Sequence, residues 1–170
     1  LSLTAAYFDS EADKAGYDGS SAEYIVERGL VVDGIELELK GRVNDNLDVT
    51  FGYTSMEGKN GTKDAREIPE TMYSMWANYE VNPKLGWAVG IMHQGESLIK
   101  DGGTQMLPDY TRVDAAVYLM LSDDFRLQVN MENLTDELYF PHSHSTHQVS
   151  VGRERNISCL LYTSDAADEC

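Results

Sequence analysis

The chain has 170 residues with 29 acidic and 13 basic side chains, a formal net charge of −16, and 42% hydrophobic residues. That length suits one domain or a piece of a larger one, the apolar content is too high for a disordered chain, and the acid excess excludes DNA or RNA as partner because phosphates would be repelled. No run reaches the roughly 18 apolar residues of a transmembrane helix, which leaves open a β-barrel, whose strands are short and alternate.

Period-2 alternation dominates and helical periodicity is nearly absent. Leu1–Asp9 shows a weak version, so a first strand is expected there, with Ser10–Ser21 as a long polar loop. Ile35, Leu37 and Leu39 then alternate with Glu36, Glu38 and Lys40. Asn44-Asp45-Asn46 is a tight turn, after which Leu47, Val49, Phe51 and Tyr53 alternate with Asp48, Thr50, Gly52 and Thr54. A polar stretch, Glu57–Glu67, leads to a strand over Tyr73–Val81, the turn Asn82-Pro83-Lys84 and a strand over Trp87–His93. The loop Lys100–Met106 precedes a strand over Val113–Leu121 and the turn Ser122-Asp123-Asp124. Phe125, Leu127, Val129 and Met131 alternate with Arg126, Gln128, Asn130 and Glu132. After a long polar loop, Thr135–Gln148, a last strand is expected over Val149–Ile157. This makes about eight strands, each with one apolar and one polar face.

Short turns thus alternate with long loops, as in an outer-membrane barrel whose short turns face the periplasm and long loops the outside. The polar face carries Glu36, Glu38, Lys40, Arg42, Arg126 and Glu132. Charges at these positions would each cost several kcal/mol in a dry core but little in a wet lumen. The apolar face would contact lipid, with Tyr7, Tyr53, Tyr73, Tyr79, Trp87, Tyr110, Phe125 and Tyr139 as a girdle near strand ends. A soluble β-sandwich with one solvated face gives the same alternation and stands as an alternative.

No catalytic set emerges, and no enzyme activity is expected. Asp114 and Glu132 are isolated carboxylates on separate strands, read as lumen charges, and Ser97 and Ser143 lack a G-x-S-x-G context. Gly58–Lys63 has the wrong spacing for a phosphate-binding loop. Asn60-Gly61-Thr62 and Asn133-Leu134-Thr135 match only the weak glycosylation pattern. His142, His144 and His147 fall within six residues, and imidazole is a common metal ligand. No carboxylate or thiolate stands among them, so a solvated or ligand-contacting loop is expected and no metal site. His93 is read as a lumen residue. Leu1 is not an initiator methionine and no signal peptide follows it, so a fragment of a longer protein is expected. Cys159 and Cys170 both fall in the last twelve residues. A small disulfide loop is one reading of the pair. The stretch Cys159–Glu169, however, resembles the in-frame translation of a transposase-type sequencing adapter. On that reading residues 1–158 form the domain and 159–170 are an artefactual tail.

Several segments in order resemble the C-terminal barrel of TonB-dependent outer-membrane siderophore receptors. Gly34-Ile35-Glu36-Leu37-Glu38 is similar to the family's G-[VIF]-E-[LV]-E strand, and Phe51-Gly52-Tyr53-Thr54 to the Gly-Tyr strand after it. Ile68-Pro69-Glu70-Thr71 resembles a Pro-containing strand entry, and Leu107-Pro108-Asp109-Tyr110-Thr111-Arg112-Val113-Asp114 the "L-P-x-Y-x-x-V-D" strand. Leu127–Tyr139 resembles the "L-x-x-N-x-x-N-L-[FT]-D-x-x-Y" signature, and Gly152–Ile157 the "G-x-x-R" start of a final strand. The resemblance implies an all-β, antiparallel up-and-down transmembrane β-barrel segment in the bacterial outer membrane, part of a larger, roughly 22-stranded barrel. It implies import of a ferric siderophore, with the catecholate type suggested by the His-rich loop. Energy would come from TonB through a plug domain outside this segment, lipid would surround the barrel, and no cofactor is implied beyond the transported ligand. Tyr17, Lys59, Lys63, His142, His144 and His147 are the expected vestibule contacts, suited to an anionic aromatic chelate through charge and cation–π contacts. A small self-contained eight-stranded barrel with a structural or adhesive role is the other alternative.

Overall fold

The computed structural model describes residues 1–21 and 23–163. The strands are β1 (Ser2–Asp18), β2 (Glu23–Asn44), β3 (Leu47–Asn60), β4 (Lys63–Asp64), β5 (Thr71–Asn82), β6 (Leu85–Gln94), β7 (Ser97–Leu98), β8 (Met106–Leu107), β9 (Tyr110–Met120), β10 (Phe125–Glu132), β11 (His142–Ser143), β12 (Val149–Ser150) and β13 (Asn156–Thr163). The main sheet is an antiparallel meander in the order β1-β2-β3-β5-β6-β9-β10-β13, with β4 appended to β3. Two short ladders, β7–β8 and β11–β12, decorate the long loops. The edges β1 and β13 have no outer partner among the described residues, so the sheet is an open segment and not a closed small barrel. Among the described residues the two other sheets are only these two-stranded ladders, and neither packs face to face on the main sheet as a sandwich requires.

Residues opposite one another in an antiparallel pair share a face. The registers Leu3–Leu39, Leu37–Tyr53, Phe51–Met75, Ala77–Val89, Val89–Ala115 and Val117–Val129 therefore build one apolar face across the whole sheet. The registers Thr4–Glu38, Lys40–Thr50, Arg42–Asp48, Gly90–Asp114 and Asn130–Ala116 build the polar one. Leu3, Tyr7, Ile35, Leu37, Trp87, Phe125 and Leu161 remain exposed on the apolar face, and the few buried apolar residues include Ala65, Ala88, Leu107, Ala116 and Tyr139. Such a face is tolerated in lipid and costly in water.

The three short turns share one device. The Asn46 amide donates to Asn44 Oδ1 at 2.9 Å, the Lys84 amide to Asn82 Oδ1 at 2.8 Å, and the Asp124 amide to Ser122 Oγ at 3.3 Å. Each turn begins with a short polar side chain that accepts from its own backbone two residues on, replacing a ladder bond.

Four expectations need correction. Ser10–Ser21 is not a loop: β1 continues to Asp18 and pairs with β2 down to Tyr17–Tyr24, so a long hairpin stands above the apolar band. Beyond lipid both faces meet water, and the alternation that marks a strand fades. For the same reason Glu57–Asn60 belongs to β3. The last strand is Asn156–Thr163 and not Val149–Ile157, because the segment before Asn156 crosses under Tyr139, where the Gly152 amide donates to the Tyr139 carbonyl at 2.8 Å. Thus Cys159–Thr163 lies in the sheet opposite Val129–Phe125, with Cys159 a free exposed thiol, and residues 164–170 with Cys170 lie outside the described residues. Finally, Tyr110 and Tyr139 are not girdle residues. Tyr110 lies on the polar face opposite Gln94, and Tyr139 packs on it, whereas Tyr7, Tyr53, Tyr73, Tyr79, Trp87 and Phe125 follow the apolar registers.

Candidate functional site

The long-loop end is one connected assembly. The Glu67 amide donates to the Leu98 carbonyl at 2.9 Å, and the Gly102 amide to the Asp64 carbonyl at 2.8 Å. Asp101 accepts from Asn60 Nδ2 and from the Arg66 amide, each at 2.8 Å. Glu67 Oε1 accepts from the Ser143 amide at 2.8 Å, and Ser143 Oγ donates to the Ile99 carbonyl at 3.4 Å. The loops after β3, β6 and β10 are thereby held together by bonds spanning tens of residues in sequence.

Of the six expected vestibule residues, five lie on the strands and loops of this assembly. Lys59 stands on β3 in an ion pair with Asp64, which holds its ammonium charged further up the pH scale than an ordinary lysine. Lys63 is on β4, its alkyl stem against Gly102. His142 pairs with Ser150 in the β11–β12 ladder, beside the Ser143 anchor. His144 precedes and His147 ends the short 3₁₀ turn Ser145–His147, with His144 Nδ1 3.4 Å from His147 Nε2. Tyr17 is apart: it stacks edge-on with Tyr24 at 5.4 Å near the tip of the β1–β2 hairpin. Among the described residues no group of three or more His, Cys, Asp or Glu converges as a metal site.

His93 is not a lumen residue. It shares the apolar register with Tyr73 and Thr111, stacks on Tyr73 at 4.6 Å and shares a hydrogen bond with Thr111 Oγ1 at 2.9 Å. That is the behaviour of an amphipathic ring at an interface.

The sequence reading missed two features. One is a cavity of about 420 Å³ between the end of β3, the loop Asp64–Glu70 and β7; Glu57, Glu70, Glu96 and Ser97 are among its walls. The other is a buried polar node on the lumen side. Arg112 forms an ion pair with Asp114 at 2.8 Å and donates to the Tyr139 hydroxyl at 3.3 Å. Asp114 also accepts from the Asn133 amide at 2.8 Å. Asn133 is 1% exposed; its Nδ2 donates to the carbonyls of Glu137 and Arg153 and its Oδ1 accepts from the Glu137 amide, all at 2.9 Å. Its φ of 52° lies in the left-handed region that Asn tolerates better than most residues. Asp114 is thus a structural partner, while Glu132 approaches Arg153 only at 4.0 Å.

Comparison with known proteins places this geometry. A family profile described as "TonB dependent receptor-like, beta-barrel" matches residues 1–134. The probable TonB-dependent siderophore receptor PiuA of Acinetobacter baumannii is 27% identical over 92% of this chain and 23% of its own length. The ferrioxamine receptor of Yersinia enterocolitica is 29% identical over 93% of this chain and 24% of its own. Among solved structures, the ferripyoverdine receptor of the outer membrane of Pseudomonas aeruginosa superposes with a TM-score of 0.80 at 21% identity, over 95% of this chain and 24% of that one. The crystal structure of PiuA superposes with a TM-score of 0.79 at 24% identity, over 94% and 26%. The chain therefore spans about a quarter of the length of these relatives.

Proposed function

Because the chain belongs to the TonB-dependent receptor β-barrel family, we propose that it is a wall segment of an outer-membrane receptor that binds a ferric siderophore and imports it with energy from TonB. The observation that carries the reading is the family match over residues 1–134, on a sheet whose outer face is apolar from β1 to β13 while its inner face is charged. Only a barrel with lipid outside and a wet lumen makes both faces favourable at once.

In this reading the segment does no chemistry. Its apolar registers hold the wall in lipid, its polar registers line the lumen, and its long loops meet the ligand outside. Lys59, Lys63, His142, His144, His147 and, at the hairpin tip, Tyr17 are the proposed contacts. The TonB-linked plug would act from outside this segment and fill the lumen beside Arg126, Glu132 and the Arg112–Asp114 pair. We also propose that the domain ends near residue 158, the adapter-like stretch being foreign. Sequencing the locus across this junction tests that point, and a genuine reading frame continuing through Cys159–Cys170 overturns it.

Uptake of ⁵⁵Fe-loaded siderophores by iron-starved cells tests the function. Cells whose intact receptor is deleted should lose uptake of at least one ferric siderophore, and so should cells lacking TonB. Unchanged uptake of every siderophore the cells use would overturn the assignment.

A further inference from the structure

The cavity beside β3 has a charge that the expected anionic ligand does not match. Met56 and Gly58, opposite Gly34 and Val32, stand on the polar register, so this side of β3 faces the lumen. Ile68 lies over Gly58, with its side chain 2.8 Å from where a β-carbon would stand, and the loop Asp64–Glu70 roofs that side. On that side the opening is walled by Glu70 and Glu96, while Glu57 and the Lys59–Asp64 pair, whose charges offset each other, stand at its rim on the alternate register of β3. Among the described residues Glu70 and Glu96 make no ion pair. Ser97, on the same wall, is 1% exposed and its Oγ has no hydrogen-bond partner. A buried hydroxyl left unpaired is costly, and native structures rarely keep one without a use. An unpartnered acceptor among carboxylates suits an N–H donor that also carries positive charge.

We propose that this cavity is a subsite for a cationic group of the ligand, a protonated amine on the periphery of a ferric chelate, accepted by Ser97 Oγ and by the carboxylates of Glu70 and Glu96. The proposal rests on the siderophore-receptor reading and narrows its substrate class. Lys59, the cation among the cavity's lining residues, is paired with Asp64, so Glu70 and Glu96 keep the cavity negative. The hairpin above the band is likewise acidic, with Asp9, Glu11, Asp13, Asp18, Glu23, Glu27 and Asp33 against Lys14 and Arg28. Its field would draw in a cation and slow an anion.

The test uses the intact receptor in detergent and two probes with the same ferric core: ferrioxamine B, whose primary amine is protonated at neutral pH, and its N-acetylated form, which lacks that charge. Binding is read by quenching of tryptophan fluorescence. The expected result is about tenfold tighter binding of the amine form, the scale of a few partly solvated charge contacts. In the Glu70→Gln/Glu96→Gln receptor the ratio should fall towards one while the acetylated form binds as before, which also shows that the variant is folded. Equal binding of both forms by the unaltered receptor overturns the cationic subsite and leaves the siderophore reading standing. Binding of a ferric tris-catecholate with neither ferrioxamine form bound overturns it in the same way. Binding of no ferric chelate by a receptor that keeps its folded mobility in unheated SDS overturns the receptor reading and the subsite together.

Discussion

At the β9–β10 end of the sheet the most buried side chain is polar, whereas near the tip of the β1–β2 hairpin tyrosines stand largely in solvent. Asn133 ties three backbone groups to the lumen wall; Tyr17 and Tyr24 are 61% and 82% exposed and touch chiefly each other. The difference is one of what must be satisfied. Where β10 ends and the chain doubles back, the turn Asn133–Tyr139 exposes residues 134–138 but sinks Asn133 and Tyr139 beneath them, so its inward amides and carbonyls need partners from the chain. A single amide side chain, able to donate twice and accept, supplies them. Outside the membrane water does the same work, and side chains there are free to vary with ligand and partner.

Replacing Asn133 should have the largest effect. Asn133→Ala removes three hydrogen bonds made by a buried side chain, to the carbonyls of Glu137 and Arg153 and from the Glu137 amide, and leaves a void where the amide stood. At about 1 kcal/mol net for each hydrogen bond, the loss should reach about 3 kcal/mol. The intact receptor should unfold at markedly lower temperature, read as loss of its compact mobility in SDS. A shift of under two degrees would show that the node is dispensable and the comparison mistaken.

Two glycines sharpen the contrast because a β-carbon would be equally crowded at both. At Gly152 it would stand 2.2 Å from the Tyr139 ring, and at Gly29 2.2 Å from the Ala12 carbonyl oxygen, at the bulge where the register slips between Ala12 and Asp13. Tyr139 is 6% exposed and held by Arg112, so it has nowhere to go. Gly152→Ala should cost about 2 kcal/mol of global stability, as overpacking does in a core. Gly29→Ala should open only the hairpin above it. Protease should then cut the tip sooner, with the melting temperature unchanged. Equal melting shifts for the two variants would mean that the hairpin is part of the cooperative unit.

The same physics decides what could be read from the residues alone. Leu47–Thr54 and Phe125–Glu132 are legible because lipid on one side and water on the other impose strict alternation. The short turns are legible because Asn44, Asn82 and Ser122 each carry the acceptor their turn needs. The signature from Asn130 to Tyr139 marked the node's position without its meaning, since hydrogen bonds to Glu137 and Arg153 have no periodicity. His93 misled because a polar residue in an apolar row reads as inward, while an aromatic neighbour such as Tyr73 makes the interface its place. The vestibule was least legible. Lys59 and Lys63 look like free cations in sequence, and only the fold reveals Asp64 beside one and Gly102 beneath the other. Glu96 drew no attention, and Ser97 only as a serine without a nucleophile's context, because a cavity wall depends on loops brought together by Asp101 and Glu67.

The smallest effect is expected at the hairpin tip. Asp18 accepts from the Ser20 amide at 2.9 Å, from Ser20 Oγ at 2.7 Å and from Ser21 Oγ at 3.0 Å. The Ser20 hydroxyl, chiefly, and then its amide hold the Asp18 carboxyl below its usual value of 3.8. A carboxylate whose folded pKa is depressed stabilises the fold above its unfolded pKa and loses that contribution as pH falls through the folded one. The tip should therefore be equally ordered at pH 7 and pH 5 and should loosen only under stronger acid. Asp18→Ala should abolish that pH dependence, raise hydrogen exchange at the Ser20 amide severalfold at pH 7, and leave both barrel melting and protection of the Asn133 amide untouched. Should Asp18→Ala instead lower the melting temperature as Asn133→Ala does, the tip would be bearing on the barrel through contacts that water cannot replace, and the division between a satisfied interior and a free exterior would not hold for this segment.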